Sequence, residues 1–151
     1  MQSPLPVHLS PAQRDKLGVF AVCILVDAPA STETTAQLIA RCDARLASLP
    51  THKRKEFGTA VDALSSRIGA LIATGGLRPF HTLPIAEQST CLHAWGRSRI
   101  PQLRSAYQAV RRLILAVHYA RHEVAAQTGY AGPLLLKEVT TLSNLMISPE
   151  H

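Results

Sequence analysis

Apolar residues recur at alternating steps of four and three between residues 57 and 71, and this spacing constrains the fold more than any other feature of the chain. The members are Phe57, Val61, Leu64, Ile68 and Leu71. Residues at this spacing lie on one face of an α-helix. Thr51 can cap its start, and Gly75-Gly76 can end it. The pattern predicts one continuous helix with a single core-facing stripe.

The N-terminal part of the chain predicts an arm followed by a helix. Residues 1–9 are polar and contain proline, which is typical of a flexible arm. Ser10 and Gln13 can form a capping box, with Pro11 in the first turn, so a helix should run to about Val26. Because the second half of this helix is apolar on nearly every side, we expect a central, buried helix.

A second helix is predicted before the stripe. Ser31 or Thr34 can cap it, and Leu49-Pro50 ends it. Its apolar residues recur at spacings of three and four, as on one face of a helix. They are Leu38, Ile39, Cys42 and Leu46. The stretch "LRPFHTLP" after the stripe contains two prolines and predicts a connecting loop.

Two helices meet at Pro101. The first begins near Ile85 and ends near Arg97, and Pro101 starts the second because proline is tolerated in a first helical turn. The core-facing residues of the second are Leu103, Tyr107, Val110, Ile114 and Val117. A short helical piece follows around residues 122–127. No alternating strand pattern competes with these helices.

The expected fold is therefore an all-α, single-domain bundle of about five or six helices. The length of 151 residues suits one domain. The domain should cover residues 10–133, between the arm at 1–9 and an extended C-terminal tail at 134–151. This tail, "LLLKEVTTLSNLMISPEH", is a candidate partner-binding segment.

The positive charge of the chain is concentrated in one segment. The chain has 16 Lys and Arg against 10 Asp and Glu, a net charge of +6. Between Gln88 and His122 no residue is acidic, so this segment carries the whole surplus. Its arginines are Arg97, Arg99, Arg104, Arg111, Arg112 and Arg121. Such a local positive field predicts an anionic partner surface.

Seven residues fall opposite the apolar stripe of the helix that starts at Pro101. Winding at about 100° per residue places charged, aromatic and apolar side chains together there. With two arginines just before the helix, they form the predicted partner interface, which we call the arginine surface. Its members are Arg97, Arg99, Arg104, Gln108, Arg111, Arg112, Leu115, His118 and Tyr119. Arginine and tyrosine around an apolar residue are typical of protein interfaces, although a merely solvated basic face stays an alternative.

Other functions remain open as alternatives. A nucleic-acid-binding module could use the basic face between Arg97 and Arg121, but lysine is absent from residues 56–136 and no helix-turn-helix is recognisable. A small metal-dependent enzyme could use His118 and His122, which lie four apart, with Cys91 and His93 brought near only by the fold. The sequence has no nucleophile motif, phosphate loop or di-iron pattern, so we expect no catalytic, cofactor or metal site in this chain.

The expected location is the cytoplasm. The three cysteines are widely spaced without a CxxC pair, which favours reduced, buried thiols. The longest apolar run near the N-terminus covers residues 17–26, half of what a membrane span needs. No export leader precedes it. We therefore expect a soluble protein without a membrane span.

Several segments occur in an order that resembles a known family. They are the helix ending in "IATGGLRPF", the stretch "LHAWGRSRIPQLRSAYQAVRRL", the turn "GYAGP" and the opening helix "LSPAQRDKLGVFAVCILVDAP". The chain resembles the gluconate 2-dehydrogenase subunit 3 family, the small helical subunits of flavin-dependent dehydrogenases. It is still more similar to the helical segment that precedes the flavin domain in long-chain alcohol oxidases of the glucose-methanol-choline type. The resemblance covers roughly residues 9–133.

The resemblance implies an accessory subunit that is not an enzyme on its own and holds no cofactor. A separate large subunit would bind FAD, carry the catalytic histidine and take hydride from an alcohol, sugar or steroid hydroxyl. No GxGxxG flavin fingerprint follows "GYAGP" in this chain. The arginine surface and the tail would then contact the large subunit in a hetero-oligomer. The twin-arginine leader of periplasmic relatives is absent, which implies a cytoplasmic complex.

Overall fold

Hydroxyl side chains fix the starts of the first two helices. In the computed structural model, which describes residues 8–129, α1 covers Pro11–Ile24 and α2 covers Thr35–Leu46. Both begin with a capping box, in which the Ser10 or Thr34 hydroxyl accepts a hydrogen bond from the third helical residue, a glutamine. The glutamine side chain accepts one from the cap backbone in return. The predicted Ser10 cap is confirmed, and α2 uses Thr34.

α1 is shorter and less buried than the sequence predicts. It ends at Ile24, so Val26 lies beyond it. Leu17 and Phe20 are fully buried, but Val22 and Val26 remain exposed over 57% and 67% of their surfaces. The helix packs against four other helices and is central as predicted, but it is not buried on every side.

The helix predicted across the apolar stripe is two helices. α3 covers Thr51–Ser65 and α4 covers Arg67–Thr74. Between them Ser66 has an extended backbone (φ −72°, ψ 161°), and its hydroxyl caps α4 by accepting a hydrogen bond from the Gly69 N–H. Thr51 is the first residue of α3 and not its cap. The change of direction at Ser66 divides the predicted stripe.

Only the first part of that stripe faces the core. Phe57, Val61 and Leu64 on α3 are buried as predicted, whereas Ile68 and Leu71 on α4 are 68% and 41% exposed. The prediction for the last two residues was wrong. Residues at steps of three and four lie on one common face only where the helix continues without interruption.

The remaining helices follow the predicted order. A 3₁₀ turn at Phe80–Thr82 lies inside the predicted loop. α5 covers Ile85–Gly96, α6 covers Pro101–Tyr119 with Pro101 in its first turn, and α7 covers His122–Gln127. α6 packs against the first three helices, α5 and α7. The described residues contain seven α-helices and no strand, so the all-α bundle is confirmed, with one helix more than the upper expected number of six.

An aromatic cluster joins four elements at the centre of the bundle. The ring centroids of Phe20 and Phe80 are 4.8 Å apart, and those of Phe80 and Trp95 are 5.1 Å apart. The Trp95 indole N–H donates to the Gly69 carbonyl at 3.0 Å, so the aromatic cluster also fixes α4. Buried Tyr and Trp side chains need such a partner for their polar atoms.

The predicted N-terminal arm is attached to the bundle at its last two residues. The backbone N–H groups of His8 and Leu9 donate to the Asp43 carboxylate, which also accepts a hydrogen bond from Arg14 at 2.7 Å. Leu9 is only 2% exposed. The arm predicted over residues 1–9 was therefore too long at this end. Residues 1–7 and 130–151, including the predicted tail, lie outside the described residues.

Candidate partner-binding surface

α6 separates apolar from charged side chains as the sequence predicts. Its buried residues include Leu103, Val110, Ile114 and Val117. The opposite side exposes Arg104, Arg111, Arg112 and Tyr119, with Gln108 and Leu115 partly buried among them. Arg97 ends α5 and Arg99 lies in the connection to α6, and both are exposed. Eight of the nine predicted members of the arginine surface are therefore accessible.

Five exposed arginines of this surface have no carboxylate partner in the described part of the chain. They are Arg97, Arg99, Arg104, Arg111 and Arg112. Arg104 donates to the Ser98 carbonyl at 2.9 Å, which fixes its side chain without neutralising it. Several guanidinium groups without counter-charges produce a positive potential that attracts an anionic surface.

The sixth arginine of the segment is balanced within the chain. The Arg121 guanidinium contacts the Glu123 carboxylate at 2.9 Å and the Glu33 carboxylate at 3.5 Å. Arg41 binds Glu33 at 2.9 Å, and the Glu33 side chain is only 2% exposed. Arg121 thus contributes to the structure of the bundle, although it belongs to the segment without acidic residues. Its contact with Glu123 is local in the sequence, whereas its contact with Glu33 joins residues far apart along the chain.

His118 is not part of the surface. It is 5% exposed, and its Nε2 atom lies 3.0 Å from the Pro29 carbonyl oxygen. At about 100° per residue, His118 is only about 80° from Val110 in the middle of the buried stripe. The segment before α2 covers this flank of α6. His118 was wrongly placed in the predicted interface, because the winding alone does not show which flank another segment covers.

The described residues contain no group of three or more His, Cys, Asp or Glu side chains that could hold a metal ion. His118 already contacts a backbone carbonyl, and the side chain of His122 lies outside the described part. A cavity of about 230 Å³ beside His118 is lined by the end of α1, the segment before α2, which includes Glu33, and the start of α2, which includes Leu38. The Glu33 carboxylate at this cavity is already bound by arginine.

The three thiols are free and buried, as the sequence predicts. Burial raises the pKa of Cys42 to about 12 and that of Cys91 to about 11, and it also raises the pKa of Cys23. A thiol with a raised pKa is protonated near neutral pH and is a poor nucleophile. These cysteines therefore act as small core residues.

A serine marks a helix boundary, followed by exposed apolar residues, that apolar periodicity alone missed. Ile68, Leu71 and Ile72 lie on the outer face of α4, with Ile72 46% exposed. Ser66 precedes them and is followed three residues later by Gly69, whose N–H it caps. A serine inside an apolar stripe favours a new helix start. This reading would have separated α4 from α3.

Comparison of the chain with protein-family models, with curated proteins and with solved structures gave no match. In addition, no helix among residues 8–129 is long and apolar enough to cross a lipid bilayer.

Proposed function

We propose that this protein is a non-catalytic accessory subunit that binds and stabilises a separate FAD-dependent oxidoreductase of the glucose-methanol-choline type. The large subunit would bind the flavin and oxidise an alcohol, sugar or steroid hydroxyl. In this proposal, the small and large subunits form a hetero-oligomer in the cytoplasm. It rests on the resemblance of residues 9–133 to the gluconate 2-dehydrogenase subunit 3 family, together with the charges on α6.

The observation that carries the proposal is the set of five exposed arginines without carboxylate partners among residues 8–129. Arginine is suited to interfaces because its planar guanidinium binds carboxylates through two parallel hydrogen bonds. Tyr119, which is 39% exposed, and the partly buried Leu115 add apolar contact area beside them. A protein surface rich in Asp and Glu complements this composition.

The test begins with a search of the genes adjacent to that of this chain for a flavoprotein with a GxGxxG fingerprint, followed by co-expression of the two polypeptides. We expect the two polypeptides to co-purify, and the Arg104→Ala/Arg111→Ala variant to bind the large subunit more weakly. The charge-matched control is Arg45→Ala/Lys55→Ala, which removes two exposed basic groups from α2 and α3. It should bind as the wild type does, because neither group belongs to the arginine surface.

Two results would contradict the proposal. The first is that the wild-type proteins fail to co-purify when both are folded and the large subunit contains FAD. The second is that the wild type binds DNA or RNA with an affinity that falls steeply with salt and that the Arg104→Ala/Arg111→Ala variant has lost. That second outcome would favour the nucleic-acid-binding alternative, which uses the same arginines.

A further inference from the structure

α4 presents a row of exposed aliphatic side chains, which we call the α4 patch. Its members are Ile68, Leu71 and Ile72, exposed over 68%, 41% and 46% of their surfaces. Residues at these steps of three and one fall on one side of a helix. The opposite side holds Gly69 and Ala70, which are both buried. Contiguous apolar side chains on a helix face indicate an interaction surface more strongly than scattered ones do.

The α4 patch is exposed because contacts on the inner side of α4 hold the helix in place. A Cβ atom on Gly69 would lie 2.7 Å from the carbonyl oxygens of Ala63 and Leu64, so α4 approaches the end of α3 closely at this point. The Gly69 carbonyl accepts the Trp95 indole N–H, and the Ser66 hydroxyl caps the helix. These contacts hold α4 from the inner side, and within residues 8–129 its outer side remains exposed.

Further apolar surface lies next to the α4 patch in the chain. Leu77 and Ile85 are exposed over 65% and 67% of their surfaces. A groove of about 500 Å³ lies between the end of α4 and α5. It is lined by Ala73, Thr74, Gly76, Arg78, Leu83, Glu87 and Thr90. The end of α4 therefore has both exposed aliphatic groups and a concave surface.

The charges around the α4 patch are mainly positive. Arg67 and Arg78 are exposed, and residues 63–86 contain no acidic residue. Asp62, the nearest carboxylate on the N-terminal side, is already bound by Lys16 and Gln13. Glu87 lies across the groove on α5. A protein surface with an apolar centre and carboxylates at its edge would complement this arrangement.

A second copy of the chain fits the α4 patch less well. Dimers of identical subunits commonly use the same surface on both copies. Such a contact here would bring the Arg67 and Arg78 side chains of both copies close together, in a protein of net charge +6. Like charges facing each other oppose association.

The start of α4 contacts the last turn of α5, which precedes Arg97 of the arginine surface. The Trp95 indole joins the last turn of α5 to the first turn of α4. Arg97 follows Trp95 by two residues, and Arg99 lies in the next connection. An extended partner could therefore contact both surfaces.

From these observations we infer that the large flavoprotein subunit docks on the α4 patch through an apolar surface bordered by carboxylates. This inference rests on the proposed function and adds a contact that the arginine surface does not provide. The arginines give charge complementarity, and the aliphatic groups of α4 provide apolar area to bury. Removing such area from water is the main favourable contribution to most protein associations.

The test compares two double variants with matched exposure. Ile68→Ser/Ile72→Ser removes two aliphatic groups from the α4 patch. Val22→Ser/Val26→Ser removes two from the end of α1, where Val22 and Val26 are exposed over 57% and 67% of their surfaces. We expect the first variant to bind the FAD-loaded large subunit at least about tenfold more weakly, because burying each aliphatic side chain is favourable. The second should bind as the wild type does.

The dissociation constants are measured by titration with the purified large subunit, and circular dichroism checks that each variant is folded. Hydrogen exchange on the wild-type complex provides a second measurement that needs no variant. Amide exchange across residues 67–78 should slow on binding. Unchanged exchange there, or an unchanged dissociation constant for a folded Ile68→Ser/Ile72→Ser variant, overturns the inference.

Other outcomes separate this inference from the proposed function. If the wild type binds and only the arginine variant weakens the complex, the proposed function stands and the α4 contact is overturned. If the wild-type proteins do not associate, both fail. If sedimentation shows a dimer of this chain that Ile68→Ser/Ile72→Ser converts to a monomer, the patch binds a second copy and the inference is also overturned.

Discussion

Gly69 lies where the start of α4 meets the end of α3, and no larger residue fits there. A Cβ atom would approach two backbone carbonyl oxygens to 2.7 Å, and backbone atoms cannot move aside as a flexible side chain can. Gly18 in α1 provides a contrast, because the nearest atom to its Cβ position is a Thr35 methyl group at 3.7 Å. The two glycines therefore differ in the space around them, although both are helical.

We predict that Gly69→Ala lowers the free energy of unfolding by about 1–3 kcal/mol, the usual cost of overpacking a core position. Gly18→Ala should raise it by about 0.5–1 kcal/mol, because alanine loses less backbone entropy in a helix. Urea denaturation of both variants measures the difference. Equal effects of the two substitutions would show that α4 does not approach α3 as closely as described.

Asp43 shows how one buried charge can organise distant segments. Its side chain is 2% exposed and accepts hydrogen bonds from the His8 and Leu9 N–H groups and from Arg14. A buried carboxylate is tolerated when it is paired and hydrogen-bonded in this way. The sequence could not reveal the arrangement, because Asp43 lies within α2 and its partners are about 30 residues away in the chain.

At the scale of elements, local signals in the sequence predicted most helices. Ser10, Thr34 and Pro101 each mark a helix start that the structure confirms. These signals operate within a few residues, so no tertiary information is needed. The division between α3 and α4 was missed, because the apolar spacing continues through Ser66 even though the backbone does not.

The arginine surface was also predictable in part, because helical winding is a local property of the sequence. The winding of α6 places Arg104 and Arg111 away from the core, and they are exposed as expected. His118 was misassigned because a segment far away in the sequence, around Pro29, packs on it. Helical periodicity predicts the direction of a side chain but not which other segment covers it.

α7 is held at its start by a carboxylate that titrates. Glu123 accepts hydrogen bonds from the Ser31 hydroxyl at 2.8 Å and from the Thr32 N–H at 3.2 Å, and it contacts Arg121. The Ser31 hydroxyl makes the largest contribution, and together these partners lower the pKa of Glu123 below its ordinary value of 4.5. The unfolded chain therefore binds a proton at a higher pH than the folded chain.

The stabilisation from Glu123 should be fully present above its unfolded pKa and lost as the pH falls through its folded pKa. We predict that Glu123→Gln destabilises the protein at about pH 7 and that its difference from the wild type shrinks towards about pH 3. Urea denaturation across this pH range measures it. If the difference in free energy of unfolding between Glu123→Gln and the wild type stayed constant with pH, the pKa of Glu123 would not be lowered in the folded state.

At the scale of the whole molecule, one core connects the helices from α1 to α6. Buried residues of α1, α2, α3, α5 and α6 belong to a single cluster, which also includes Leu9, Phe80 and Leu83, and Ala73 of α4 packs against it. Trp95, the single tryptophan of the chain, belongs to this cluster and is fully buried. Because no helix from α1 to α6 has a separate core of its own, these elements should lose their packing together.

We therefore predict that unfolding in urea is a single transition. The midpoint measured by Trp95 fluorescence should coincide with the midpoint measured by helical circular dichroism, as expected for a small domain with one core. Trp95 fluorescence should shift to longer wavelength only when the helices unfold, because the indole is fully buried and bound to the Gly69 carbonyl. If fluorescence changed at a lower urea concentration than circular dichroism, α4 and α5 would separate before the rest of the bundle, and the core would consist of two units.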